Sequence, residues 1–152
     1  KPTLHRTSRY KQGKFIPKYP EKYIGNCREI IYRSSWEKRL MDWLDNHPSV
    51  LAWNSEDFVI KYFLPTDGKT HSYHIDFVAK MKLKTGQVKT YAIEVKPEKE
   101  CLPPKNIKNK QRLYEETETF IKNQSKWAAA KDFCSKHDME FIVLTEKDLG
   151  IK

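Results

Sequence analysis

Two short runs of this chain place acids where acids are costly. Tyr73-His74-Ile75-Asp76-Phe77 sets Asp76 among apolar neighbours, and Tyr91-Ala92-Ile93-Glu94-Val95-Lys96 does the same for Glu94. Both runs read as strands, in which successive side chains alternate between faces. Tyr91, Ile93 and Val95 therefore point one way, while Glu94 and Lys96 point the other and lie side by side at the strand end. A hairpin of the two strands brings Asp76 beside Glu94. Two adjacent carboxylates with an ammonium nearby form a hard-oxygen site of the kind that suits Mg²⁺. An unpaired carboxylate in an apolar strand is unfavourable on its own, so the placement points to a site that uses the charge. A third acid, Glu37, lies upstream, three residues after Ser34 in a pattern that opens a helix.

Each of these residues also has a plainer explanation. In a chain with 32% charged residues, an Asp-x(17)-Glu-x-Lys spacing arises readily by chance. Glu37 stands where a structural capping glutamate belongs, and capping and site roles are compatible. His74 shares a strand face with Asp76, within reach of a phosphate or a bound water, or is simply a solvated histidine. Other chemistries lack candidates. There is no Gly-x-x-x-x-Gly-Lys-Ser/Thr loop for nucleotide phosphates and no Gly-x-Ser-x-Gly nucleophile turn. Cys27, Cys101 and Cys134 are odd in number and widely spaced, which fits a reduced, cytosolic setting rather than a zinc or redox motif.

The elements that must position the acids follow from periodicity. From Ser34, the residues Trp36, Leu40, Trp43 and Leu44 recur at helical spacing and predict a buried stripe, ended by Asn46-His47-Pro48. Residues 57–64, 71–83 and 88–96 predict strands, the last two joined by a turn at Lys84-Thr85-Gly86-Gln87. A loop with Pro97, Pro103 and Pro104 precedes a helical stretch over 106–137, with a break expected near Asn123-Gln124-Ser125. A strand over 139–145 and a capped turn at Thr145-Glu146-Lys147-Asp148 close the series. This order predicts an α/β fold with a central mixed sheet flanked by helices. The 152 residues suit one core, and no run approaches the roughly 18 apolar residues of a membrane span.

The formal net charge is +9, and residues 1–33 hold nine Lys/Arg against two acids. Tyr10, Phe15, Pro17, Tyr19, Pro20 and Tyr23 are interleaved with these bases, without a period of 2 or 3.6. Residues 1–27 read as an extended basic N-terminal arm ahead of a domain over 28–152. Such a surplus favours a polyanion partner, of which double-stranded DNA gripped through its backbone is one candidate. Arg6, Arg9, Lys11 and Lys14 of the arm, with His74 and Lys126, are the candidate nucleic-acid contacts. A solvated tail is the alternative for the arm, and a solvated face for Lys108, Lys110 and Gln111.

Asp76, 17 residues, then Glu94-Val95-Lys96, with Glu37 on an upstream helix, resembles the PD-(D/E)XK nuclease superfamily. Ser34-x-x-Glu37, Tyr73 to Phe77, Ile93 to Lys96, Lys126-Trp127-Ala128-Ala129-Ala130 and Phe141 to Glu146 come in the order seen in TnsA-type transposon endonucleases, over about residues 30–149. Arm included, the chain is similar to the head-completion nucleases of T4-like phages; Lys1 in first place fits a trimmed start. The resemblance implies a restriction-endonuclease-like core and a metal-dependent DNA endonuclease acting after packaging. It implies that Glu37, Asp76, Glu94 and Lys96 are catalytic. Mg²⁺, with Mn²⁺ as a substitute, would be held by Asp76, Glu94 and the Val95 backbone carbonyl, with Glu37 on the same metal through water or on a second one. Two carboxylates beside Lys96 favour its charged form, so a positioning role is expected for it over proton abstraction. A phage portal or other head or neck protein is the implied protein partner, with no membrane. The implied location is the host cytoplasm during assembly, with the head–neck region of the virion as a second. Two departures are visible: Ile75 stands where the superfamily usually has proline, and TnsA carries Gln where this chain has Glu94. A structural head-completion or portal-binding protein with a relic core, its arm aromatics docking on a partner, is the competing reading. An RNA-directed nuclease or junction resolvase on the same core is a third.

Overall fold

The computed structural model describes residues 12–151. Arg6, Arg9 and Lys11 lie outside them. Within them the chain forms β1 (Gly13–Lys14), β2 (Ile31–Tyr32), α1 (Ser35–Asn46), β3 (Val50–Leu64), β4 (Lys69–Lys82), β5 (Val88–Val95), α2 (Lys110–Lys136) and β6 (Met139–Leu144). Strands β3, β4 and β5 form an antiparallel meander, and β6 returns parallel to β5 after the α2 crossover. The expected mixed sheet flanked by helices is therefore present, with β3 and β6 at its edges.

Alternation in β5 separates two cores. Ile93 faces Leu40, Met41 and Leu44 of α1, while Ala92 faces Trp127, Ala130 and Cys134 of α2. Helix α1 starts where expected: Ser34 Oγ accepts the Glu37 N–H at 3.1 Å, and Glu37 Oε1 accepts the Arg33 N–H at 3.0 Å. Its buried face is Leu40, Met41, Leu44 and Asp45. Trp43 belongs to the predicted stripe but is 44% exposed, because it lies at the border of that face and stacks on His47 instead.

Helix α2 runs unbroken through 123–125, against expectation. Ser125 Oγ donates back to the Ile121 carbonyl at 2.8 Å, and Asn123 is turned inward and buried. Packing against the sheet overrides the weak helix propensity of those residues. The helix also begins later than predicted, at an Asn109 cap whose Oδ1 accepts the Arg112 N–H at 2.9 Å.

The described part of the arm is extended but not detached. Strand β1 pairs with β2, and a Cβ at Gly13 would crowd the end of the Tyr32 side chain, which would have to shift to admit it. Phe15 is buried edge-on against Trp53, and the partly buried Tyr23 also meets Trp53 edge-on, with ring centroids 5.8 and 4.8 Å away. Asp45, itself buried, accepts the backbone N–H groups of Lys18 at 2.7 Å and Tyr19 at 3.0 Å. Residues 12–24 thus complete the α1-side core. The three cysteines are free, and no helix among the described residues is long and apolar enough to cross a membrane.

Candidate active site

Strands β4 and β5 pair regularly from Lys82↔Val88 down to Phe77↔Ile93, and there the ladder stops. The Val95 N–H, which would have continued it, donates to Asp76 Oδ2 at 2.9 Å. The two strands part at this point, and the fork between them holds Asp76 from one side and Glu94 from the other. Glu94 is 5% exposed and accepts the Tyr73 hydroxyl at 2.6 Å. Lys96, just past β5, has its Nζ 3.9 Å from Glu94 Oε2. Its backbone N–H joins β6 through the Leu144 carbonyl at 3.0 Å, which fixes the strand end. The following loop is tied down where the Glu98 N–H meets Glu146 Oε1 at 2.8 Å.

The electrostatics of the fork are adverse to its own acids. Desolvation first, and then the charge of Glu94, push the Asp76 pKa well above the usual aspartate value; Glu37 adds to this, while the Val95 N–H and Lys96 oppose it. Glu37 is raised as well, by burial first, with Glu56 and Glu94 adding to the rise and Arg33 opposing it. Burial and the neighbouring Glu94 raise the Tyr73 phenol far above its normal range, so it stays a neutral donor to that carboxylate. Lys126 of α2 lies over the ring of Tyr73, its Nζ 5.3 Å from the centroid, and 6.0 Å from that of Tyr62. Burial lowers its pKa, helped by Lys96 and Lys122 and opposed by Glu94 and Asp76. Lys96 at the strand end thus pairs with Glu94, and Lys126 of the helix feels the charges of both carboxylates.

Among the described residues no three His, Cys, Asp or Glu side chains form a metal cage by themselves. The residues that could hold a divalent cation at the fork are Asp76 and Glu94, and Mg²⁺, which keeps several waters, takes one or two protein carboxylates.

Residues 47–146 match the family described as TnsA-like endonuclease N terminal. The chain belongs to this TnsA-like endonuclease family. Over 142 residues it is also 40% identical to the "Head completion nuclease" of Enterobacteria phage T4, covering 90% of this chain and 92% of that protein. The TnsA-like match contains Asp76, Glu94, Lys96 and Lys126 but begins beyond α1, so Glu37 lies outside it.

Of the residues singled out from sequence, the fold brings Asp76, Glu94, Lys96 and Lys126 within electrostatic reach of one another, and Glu37 within reach of Asp76 and Glu94. Val95 contributes its N–H to Asp76 and ends β5. His74 is exposed and lines a groove with Arg33 and Glu56 rather than contacting Asp76. Lys14 is exposed on β1. Three participants were not foreseen: Tyr73, which fixes Glu94; Glu56, whose charge reaches Glu37; and Arg33, whose backbone N–H holds Glu37. Alternation alone sets Tyr73 on the strand face opposite Asp76, so its contact with Glu94 had no periodic signal. The Arg33 contact is the reach-back of a capping glutamate, whereas Glu56 depends on a strand irregularity that carries no periodic signal.

Proposed function

We propose that the protein is a Mg²⁺-dependent DNA endonuclease that hydrolyses phosphodiester bonds during phage head completion. The observation that carries this reading is the fork itself, which holds Asp76 and Glu94 together against their own repulsion. A bound divalent cation would offset that repulsion, act as a Lewis acid on the phosphate and lower the pKa of its bound water. Asp76 and Glu94 would be its carboxylate ligands, with the Val95 carbonyl beside them. The chain's own residues prepare the rest. The Val95 N–H orients Asp76, and the Tyr73 hydroxyl orients Glu94. Lys96 places a positive charge beside the attacking water and the phosphate, and Lys126 offers a second one from α2. Glu37, held at the first turn of α1, is suited to ordering a water at the edge of the site.

The name of the phage T4 relative supports the head-completion setting, and the net charge of +9 supports backbone-driven DNA binding. A portal or other neck protein is the partner such a setting would supply. The structural alternative loses part of its basis, because Phe15 and Tyr23 of the arm pack on Trp53 and are not available for docking.

The test is a nicking and linearisation assay on supercoiled plasmid with Mg²⁺, Mn²⁺ or EDTA, comparing wild type with Glu94→Ala. Metal-dependent cutting that disappears in Glu94→Ala supports the enzyme and its site together. Absence of cutting with either metal, while salt-sensitive DNA binding persists, would move the function to the structural reading.

A further inference from the structure

Strand β4 carries positive charge on a face where a central strand seldom does. Phe77, Ala79 and Met81 point into the core under α1, and alternation leaves Val78, Lys80 and Lys82 on the other face. That is the face Ala92 presents to α2, because Val78 pairs with Ala92, Lys80 with Thr90 and Lys82 with Val88. Helix α2 does not cover it to the end. Lys80, Lys82 and Val88 are exposed, and a groove of ≈ 270 Å³ opens between Ile24, Phe58, Val78, Lys80 and Thr90.

Lysine is depleted in strands, and like charges on one face repel. Protection of a sheet edge does not explain these two, since β4 lies between β3 and β5. Nor do acids of the chain. Lys80 sits between Ala52 and Thr90, Lys82 sits beside Val88, and among the described residues neither ammonium has an ion-pair partner. Lys89, on the opposite face of the same ladder, is by contrast paired with Glu140. Asp57 is the one carboxylate on the lining of the groove, and it already accepts from Asn54 Nδ2 at 3.3 Å. Lys84 carries the uncompensated charge on into the turn.

Position names the anion. Lys80 and Lys82 lie farther along the strand that bears Asp76, about 14 and 20 Å from it at 3.4 Å per residue. One turn of DNA is about 34 Å long, so a duplex with one phosphate at the fork has others at the distance of both lysines. We propose that Lys80 and Lys82 form a DNA-backbone contact separate from the fork, holding phosphates about half a helical turn from the bond that is cut.

This rests on the nuclease reading above, and the experiment has one arm that does not depend on cleavage. Affinity for a linear DNA duplex is measured against salt in EDTA, and cleavage of supercoiled plasmid is measured in Mg²⁺. Lys80→Gln/Lys82→Gln lowers the slope of log affinity against log salt by about 1.8, the value of two phosphate contacts. Both side chains are exposed, so the urea midpoint stays that of the wild type. Lys38→Gln/Lys147→Gln removes the same charge from two lysines paired with Asp42 and Glu98, and keeps the wild-type slope. In cleavage, Lys80→Gln/Lys82→Gln raises the DNA concentration for half-maximal rate and keeps the rate at saturation, as loss of uniform binding does. An unchanged slope in Lys80→Gln/Lys82→Gln overturns the proposal, and so does an equal loss of slope in Lys38→Gln/Lys147→Gln, which would make net charge the cause. If the wild type cuts no plasmid, the nuclease reading fails, while the slopes in EDTA still decide whether Lys80 and Lys82 hold phosphate.

Discussion

Burial and the charges of Glu94 and Glu37 all act against an ionised Asp76, and the Val95 N–H and Lys96 act for it. This imbalance has a sign that can be measured. The folded protein holds the Asp76 proton to higher pH than the unfolded chain, whose reference value is 3.8. Between that value and the raised one, the folded state binds more protons, so stability falls as pH rises through the window. Glu37 contributes with the same sign. In EDTA, the urea midpoint of the wild type is expected to fall as pH rises above the unfolded value of 3.8, and Asp76→Asn to flatten that fall. Mg²⁺ at neutral pH should raise the midpoint of the wild type and not of Asp76→Asn, because a cation bound to the native state stabilises it. An equal pH dependence in the two proteins would place the effect elsewhere. Asp76, Glu94 and Lys96 were legible in the sequence because strand alternation alone assigns their faces. Glu56 was not, since its orientation follows from a slip between two strands, which no single run of residues records.

Helix α2 shows how packing overrules local preference. Asn123-Gln124-Ser125 reads as a break, yet the helix spans Lys110–Lys136, with Asn123, Trp127, Ala130 and Cys134 as its buried residues. Asn123 is 4% exposed, and its Nδ2 has no hydrogen-bond partner among the described residues. A buried donor left unsatisfied costs about 1–3 kcal/mol, whereas an apolar side chain of similar shape carries no such cost. Asn123→Leu is therefore expected to raise stability by about 1 kcal/mol, read from the urea midpoint; a lower midpoint would show that the amide is engaged. The strands were easier to read. The 84–87 turn and the last strand, β6, lie where predicted, because turn residues and apolar runs are local signals. The prediction for β3 began at 57, whereas it extends back to Val50, because its first half is defined by pairing with the distal end of β4.

The N-terminal segment changes character across the molecule. Its basic, aperiodic composition predicts an arm, but Phe15 and Tyr23 meet Trp53 in the core. Sequence could not show this, because one bulky residue without a periodic neighbour looks alike in a tail and in a core. Phe15→Ala is expected to cost about 3–5 kcal/mol, as for other buried aromatics, measured by urea denaturation. A cost near zero would mean that the arm is dispensable to the fold. A truncation meant to probe charge should therefore stop at residue 11. Removal through Lys22 would also take away Phe15 and the Lys18 and Tyr19 amides that Asp45 holds.

The contact between the arm and β3 also bears on how the protein behaves at high concentration. Strand β3 is an edge of the sheet, and an uncovered edge is a template on which another chain can add. Tyr23 bridges to Trp53, and the Ile24 N–H donates to the Trp53 carbonyl at 2.8 Å, so the arm occupies part of that rim. Farther along, the bulge at Glu56 twists the strand and Lys61 places a charge among Val59 and Phe63. Displacement of the arm would open a run of backbone donors and acceptors beside exposed apolar side chains. The segment that completes the core thereby also keeps neighbouring molecules from joining sheet to sheet.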